Sequence, residues 1–286
     1  MEQIIFNGLV LSASYAVIAL GITLIFSIMN VLNFAHGQMF MIGGFAAYYV
    51  YGQYHMPFVI ALIAATVGVG IIGVLFDLLF FRRVRKKATR EENNILLAVG
   101  TALLLENIAL FVFGEKERGV PDVVDGVLRL GGAFLPEGRI LVLGVSIALI
   151  AALLLFVQNT RTGRAMRAVA QDREVTLLMG VDVDRISMIG FGIGAGLAGL
   201  AGALLVTISG VNAGIGTSIT TKAFIMIMIG GAGVVAGSIL GAIVLGFAEA
   251  IGYAVLPGSV TYLVIFLALV IFLIVRPQGI MGKPWG

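Results

Sequence analysis

The chain has 286 residues, of which 60% are hydrophobic and only 12% charged, with 39 glycines, no cysteine and a formal net charge of +3. Mean hydropathy is +1.09, and an ordinary soluble domain carries roughly 25% charged residues, so a soluble core cannot hide this much apolar surface. Without cysteine there is neither a disulfide nor a thiolate metal site to propose. The sequence pI near 9.3 comes from basic residues grouped beside apolar runs, which reports orientation in a lipid bilayer rather than nucleic-acid binding.

A bilayer core about 30 Å thick takes roughly 20 helical residues, and lipid offers no partner to backbone polar groups. Runs such as Leu141 to Val157 and Tyr262 to Val275 carry no charge and lack the alternation of a barrel strand. The expected fold is therefore all-α: one polytopic transmembrane bundle over residues 1–286, with about 8–10 spans. Its first run, Ile4 to Ile28, follows no basic segment and is read as a retained span.

Residues 30–38, Asn-Val-Leu-Asn-Phe-Ala-His-Gly-Gln, then interrupt the apolar pattern without becoming a charged loop. Gln38 to Gln53 and Pro57 to Phe81 follow as spans. Residues 82–94 carry six Lys/Arg and residues 159–185 carry five, which places both loops in the cytoplasm with the tail of Arg276 and Lys283. Ile95 to Phe113 and Ile140 to Val157 are one excursion between them, so residues 114–139, with Pro121 and Pro136, form an external loop. Ile186 to Ser209 leads outward again. An inward tail then needs an odd number of further crossings, so the short piece Ala223 to Gly233 must cross before Val235 to Tyr253 and Ser259 to Val275. Eleven residues are too short to cross alone at 1.5 Å each, which implies a second broken helix within residues 210–234. Breaks of this kind are tolerated where they line a cavity or pack on protein. Met-Ile-Gly-Gly occurs at both 41–44 and 228–231, a short match in so glycine-rich a chain, although duplicated halves are frequent in transporters.

Candidate functional residues fall into two sets. Polar groups at membrane depth are Asn33, His36 and Gln38 at the first break, Glu106 and Asn107 in mid-span, Lys222 at the second break, and Glu249. Such groups face a bundle interior, a cavity or a partner. The competing readings are structural. Glu106 and Glu249 would be buried carboxyls bonded to a neighbouring helix, Lys222 a cation snorkelling to outer headgroups, and His36 a hydrogen-bonded packing residue. Asp77 reads as an interfacial anchor within reach of Arg82 or water. The second set, Arg164, Arg167, Ala170, Asp172, Glu174 and Gly180, lies in the loop 159–185, whose mixed apolar and charged pattern predicts short amphipathic helices. These would lie on the membrane or dock on a cytoplasmic protein. Glycines 190, 192, 194, 196, 199 and 202, and 230, 233, 237 and 241, suit close helix packing, or smooth faces that slide.

No Gly-x-x-x-x-Gly-Lys-[Ser/Thr] run occurs, the only Gly-Lys pair being Gly282-Lys283 before Pro284, so ATP hydrolysis is not expected of this chain. No metalloprotease run or triad spacing is present either. A channel or secondary carrier would also use broken helices, but would place coupling carboxylates at both breaks.

Three stretches, Leu32 to Gly37, Gly163 to Asp172 with Met179-Gly180, and Lys222-Ala223-Phe224 with Gly230 to Gly233, Gly237, Gly241 and Leu245 to Ala250, resemble the branched-chain amino-acid ABC permease family, the LivH-type subunit. The closing Arg276 to Gly282 is similar as well. Gln38 departs from the acidic residue many members carry there. The resemblance implies an importer of the bacterial inner membrane with a second, related permease, two cytoplasmic ATPases and an external solute-binding protein. It also implies that ATP and Mg are bound by those ATPases, with no cofactor here, and that residues 164–180 are the coupling segment. Branched-chain or other hydrophobic amino acids are the implied solutes, and members that import urea or short amides share these motifs.

Overall fold

The computed structural model describes residues 1–87, 92–130 and 133–282. Helix α1 (Glu2–Met29) ends where Asn30 turns left-handed at φ 51°. After the break, α2 (His36–Ala47) widens into a π-helical turn, Tyr48–Gln53. Pro57 opens α3 (Phe58–Phe76), which continues through a π-turn at Asp77–Phe81 into α4 (Arg82–Lys87). The described residues of the expected loop 82–94, namely 82–87 and 92–94, are thus helical, and residues 88–91 lie outside the described residues, as does Lys283. Then come α5 (Glu92–Phe113), strands β1 (Val127–Leu130) and β2 (Ala133–Pro136), and α6 (Glu137–Asn159), opened by Pro136. Proline suits these starts because the first helical N–H groups lack an intrahelical acceptor anyway.

The basic segment folds as α7 (Arg161–Gln171) and α8 (Arg173–Leu178), followed by α9 (Val183–Ser209). Each is capped by a side chain: Thr160 accepts from Gly163 N at 2.9 Å, Asp172 from Val175 N at 2.9 Å and Asp182 from Arg185 N at 3.0 Å. Gly210, at φ 68°, stops α9. Helices α10 (Ile215–Gly230), α11 (Val235–Val255) and α12 (Gly258–Val275) complete the chain. Among the described residues, seven helices are long and apolar enough to cross a membrane, and α10 is a shorter apolar one. The second short helix starts at Ile215 rather than Ala223. The antiparallel hairpin β1–β2, paired from Val127 with Pro136 to Leu130 with Ala133, is the one departure from an all-α chain among the described residues.

One plan occurs twice in opposite directions: long helix, break, short helix, long helix. Helices α1 and α9 are antiparallel, with Gly21 against the Gly194 carbonyl and Ile28 against Gly190. Helix α1 starts at the hairpin end, where Gln3 accepts from Phe134 N at 2.9 Å and Asn7 from Arg139 at 2.9 Å. It ends beside α7. Helix α2 runs back toward the hairpin end, where Tyr51 bonds the Asp122 carbonyl. Helix α10 runs the other way, and its last carbonyls accept from Ile280 N and Met281 N of the tail at 2.8 and 2.9 Å. The halves exchange partners, α1 packing on α11 and α9 on α3. The Met-Ile-Gly-Gly match does not mark this repeat, since Gly43 meets Gly199 of α9 whereas Gly230 meets Gly237 of α11.

Glycine makes these crossings possible. A Cβ on Gly43 would collide with the Gly199 backbone, one on Gly202 with the Phe40 carbonyl, and one on Gly241 with the Met226 carbonyl. In lipid, such close van der Waals contact is what joins helices. Gly43→Val is expected to lower unfolding stability in detergent by about 1–3 kcal/mol. Gly100→Ala, at a position with no neighbour within 4 Å of the added carbon, should not lower the thermal midpoint.

Candidate translocation site where two short helices begin

Both short helices begin inside the bundle, and their first turns meet. Asn33 sets up the first, its Oδ1 accepting from Ala35 N at 3.1 Å as an Asx turn that starts the chain back toward the interior. His36 is fully buried, with Nε2 3.2 Å from the Ile18 carbonyl, midway along α1. Gly37 packs on the Gly216 carbonyl, and its N–H donates to Thr220 Oγ1 at 3.1 Å. The Thr220 hydroxyl in turn lies 3.2 Å from the Phe34 carbonyl. The first turns of α10 therefore supply a partner for backbone groups freed at the start of α2.

A carboxylate from α5 joins them. Glu106 Oε2 accepts from Thr217 Oγ1 at 2.8 Å and from Gln38 Nε2 at 3.3 Å, and Gln38 also reaches Thr217 at 3.4 Å. The positive ends of two helix dipoles converge here, which favours a negative group. Asn107, one residue on, points elsewhere: it is exposed and bonds the Leu103 carbonyl of its own helix at 2.7 Å. It is not part of the cluster.

A second polar cluster joins α10, α11 and α1. Lys222 Nζ lies 2.9 Å from Glu249 Oε1 and 3.1 Å from Oε2, and donates to Tyr15 Oη at 2.7 Å. Tyr15 donates to Glu249 Oε2 at 2.5 Å. The Lys222 ammonium also sits 5.0 Å from the Tyr15 and Tyr262 ring centres. Lys222 therefore does not snorkel to headgroups; its side chain is 11% exposed, Glu249 is 1% exposed, and they neutralise one another. Tyr15, Thr217, Thr220 and Tyr262 complete these clusters, although none was among the residues singled out from sequence. A tyrosine midway along an apolar helix is itself a signal, because a buried hydroxyl needs a partner. Asp77 is buried at the head of its π-turn, and Arg82 bonds Asp184 at 3.3 Å.

At the basic end, α7 turns Gly163, Met166 and Val169 inward. Arg164 and Arg167 reach the carbonyls of Asn159 and Val157 at 3.4 and 2.9 Å. Ala170 and Arg167 line a cavity of about 750 Å³ that extends to Gly233 and Gln278. Asp172 caps α8, Glu174 lies exposed in its first turn, and Gly180, at φ 80°, ends it. Val175, Leu177, Leu178 and Met179 are left exposed, Leu178 at 86%.

A polytopic bundle with opposed half-helices meeting over buried polar groups is the architecture of a membrane transport protein. Residues 4–275 match the family described as branched-chain amino acid transport system, permease component, and this chain belongs to that family. It is a permease subunit of an ABC importer and a multi-pass protein of the inner membrane. It is 33% identical to the high-affinity branched-chain amino acid transport system permease protein BraD of Pseudomonas aeruginosa, over 99% of this chain and 96% of the relative. Against LivH of Escherichia coli K12 the identity is 31% over the same shares. The probable LivH permease of Methanocaldococcus jannaschii is 26% identical, over 99% and 94%. No solved structure matches the chain.

Removing one partner of the Lys222–Glu249 pair leaves an uncompensated charge in the bundle. Lys222→Met is expected to cost about 3–5 kcal/mol, whereas Lys222→Met with Glu249→Leu should regain most of that loss. Thermal unfolding of the purified variants measures both.

Proposed function

We propose that this chain is one half of the membrane pathway of an importer for branched-chain or similar apolar amino acids, paired with a second, related permease. The observation that carries the reading is the meeting of α2 and α10 at their first turns, held by Gln38, Thr217 and Glu106. Half-helix starts over polar side chains are where transporters bind and release solute, and the relatives' names supply the solute class. Two ATPases on the cytoplasmic side bind ATP and Mg and drive the cycle, and an external binding protein delivers the solute. This chain supplies no catalytic group and no cofactor site. Asn33 and His36 shape the first break, while Gln38, Glu106, Lys222 and Glu249 are the polar groups beside the path. Reconstituted with its ATPases and binding protein, the permease should accumulate leucine, isoleucine or valine in an ATP-dependent way. Uptake of urea but no amino acid would replace this solute reading.

The coupling segment is α7–α8. The α7 apolar face is spent on the bundle, so the projecting part is α8 with Val175, Leu177, Leu178 and Met179, flanked by Asp172, Arg173 and Glu174. An apolar knob with a charged rim fits a groove on a protein. Leu178→Asp with Met179→Asp should abolish co-purification of the ATPases while the permease still inserts and folds. Retained co-purification with full uptake would move the coupling contact elsewhere.

A further inference from the structure

The Lys222–Glu249 pair is not sealed within a helix contact. It forms the polar end of a cleft of about 580 Å³ between α10, α11 and α12, inside the size range of about 300–1,000 Å³ typical of small-molecule sites. Exposed hydroxyls of Ser218 and Thr221 line the α10 wall, and Leu263 and Phe266 form the α12 wall. One end of this space thus presents both signs of charge, and the rest is hydrocarbon with a hydroxyl edge.

The pair is also incompletely used. Glu249 Oε1 lies 2.9 Å from Lys222 Nζ, yet makes no aligned hydrogen bond among the described residues. Lys222 has three N–H donors and makes two hydrogen bonds, to Tyr15 and Glu249 Oε2. The ammonium and the carboxylate therefore face one another at the end of the cleft, each in reach of a partner that would replace the other. A buried ion pair is a poor stabilising device, since a well-packed apolar pair is usually as good or better, and charges at bundle depth are retained for what they do. Tyr15, the shared partner, is near the midpoint of α1, a depth that lipid headgroups do not reach.

We propose that the Lys222–Glu249 pair is a zwitterion subsite on the solute path. Lys222 takes the α-carboxylate, Glu249 takes the α-ammonium, and the apolar side chain lies against Leu263 and Phe266. Between solutes the two charges satisfy one another, so the empty site leaves no bare ion in the membrane. The proposal rests on the amino-acid reading above, and its test separates the two.

In proteoliposomes holding the complete importer, the double variant Lys222→Met/Glu249→Leu removes both charges without stranding either. The expected result is an importer that assembles with its ATPases and binding protein as the wild type does, with leucine entry reduced at least about tenfold. Leucine entry within twofold of wild type would show that the pair only clamps helices and would overturn the proposal. A wild-type importer that carries no amino acid overturns the solute reading itself. Should the double variant fail to assemble, the wild-type complex gives the answer through photolabelling with a diazirine analogue of leucine. Labelling of the α10 and α12 peptides is expected, competed by leucine but not by 4-methylpentanoate or isoamylamine, which lack the ammonium and the carboxylate respectively. Labelling confined to other helices, or unchanged by leucine, overturns the subsite.

Discussion

A helix that starts inside a bilayer must find partners for its first backbone N–H groups, and everything distinctive in this bundle follows from how two such starts are satisfied. Gly37 N–H donates to Thr220 in the first turns of α10, Thr220 reaches back to the Phe34 carbonyl, and Glu106 accepts from Thr217 and Gln38. The start of α2 is thus completed by the first turns of α10, and Glu106 joins the two. That contact explains why the long helices cross so closely: only with glycine at Gly21, Gly43, Gly194 and Gly202 can α1, α2 and α9 approach enough to bring the starts together.

The two polar clusters differ in what they ask of the membrane. Glu106 sits at converging helix dipoles with two donors, on a helix whose remaining faces largely point outward, so its negative charge is met by partial positive charges that the fold already supplies. Lys222 and Glu249 instead meet as full charges, bridged by Tyr15. The first arrangement is built into the backbone and cannot be undone without moving a helix start. The second can be rearranged by side chains alone, which makes it the better candidate for groups that exchange partners with a passing solute.

Most of the bundle could be read from sequence because apolar length sets the spans and the positive-inside rule sets their order. The first break was visible in Asn30 to Gln38, a polar stretch with no charge. The second was located but started eight residues late, because Ile215 to Lys222 carries Thr217, Ser218, Thr220, Thr221 and Lys222 and looks too polar to be buried. Partner information resolves this: the Thr217, Thr220 and Thr221 hydroxyls bond Glu106 or helix carbonyls, and Lys222 meets a carboxylate 27 residues further on. Spacing alone also could not separate Glu106 from Asn107, which lie about 100° apart around one helix, one turned to Thr217 and the other outward. The hairpin at 127–136 was lost among mixed charges because four-residue strands leave little periodic signal.

Helix α1 connects the two ends of the molecule. Near its C-terminal end Ile28 lies against Gly190, which also neighbours Met166 of α7. At its middle, the Ile18 carbonyl holds His36 at the start of α2, and Tyr15, one turn away, holds Lys222 and Glu249. Helix α1 thus touches α7 at one end and the residues of both polar clusters at its middle. The tail adds a second link, since Ile280 and Met281 bond the last carbonyls of α10 while Gln278 and Gly282 border the cavity beside Arg167. Helix α10 is thus held at its first turn by α2 and at its last by the tail. Shifting it relative to α2 has to break the Gly37–Thr220 and Gln38–Thr217 contacts together.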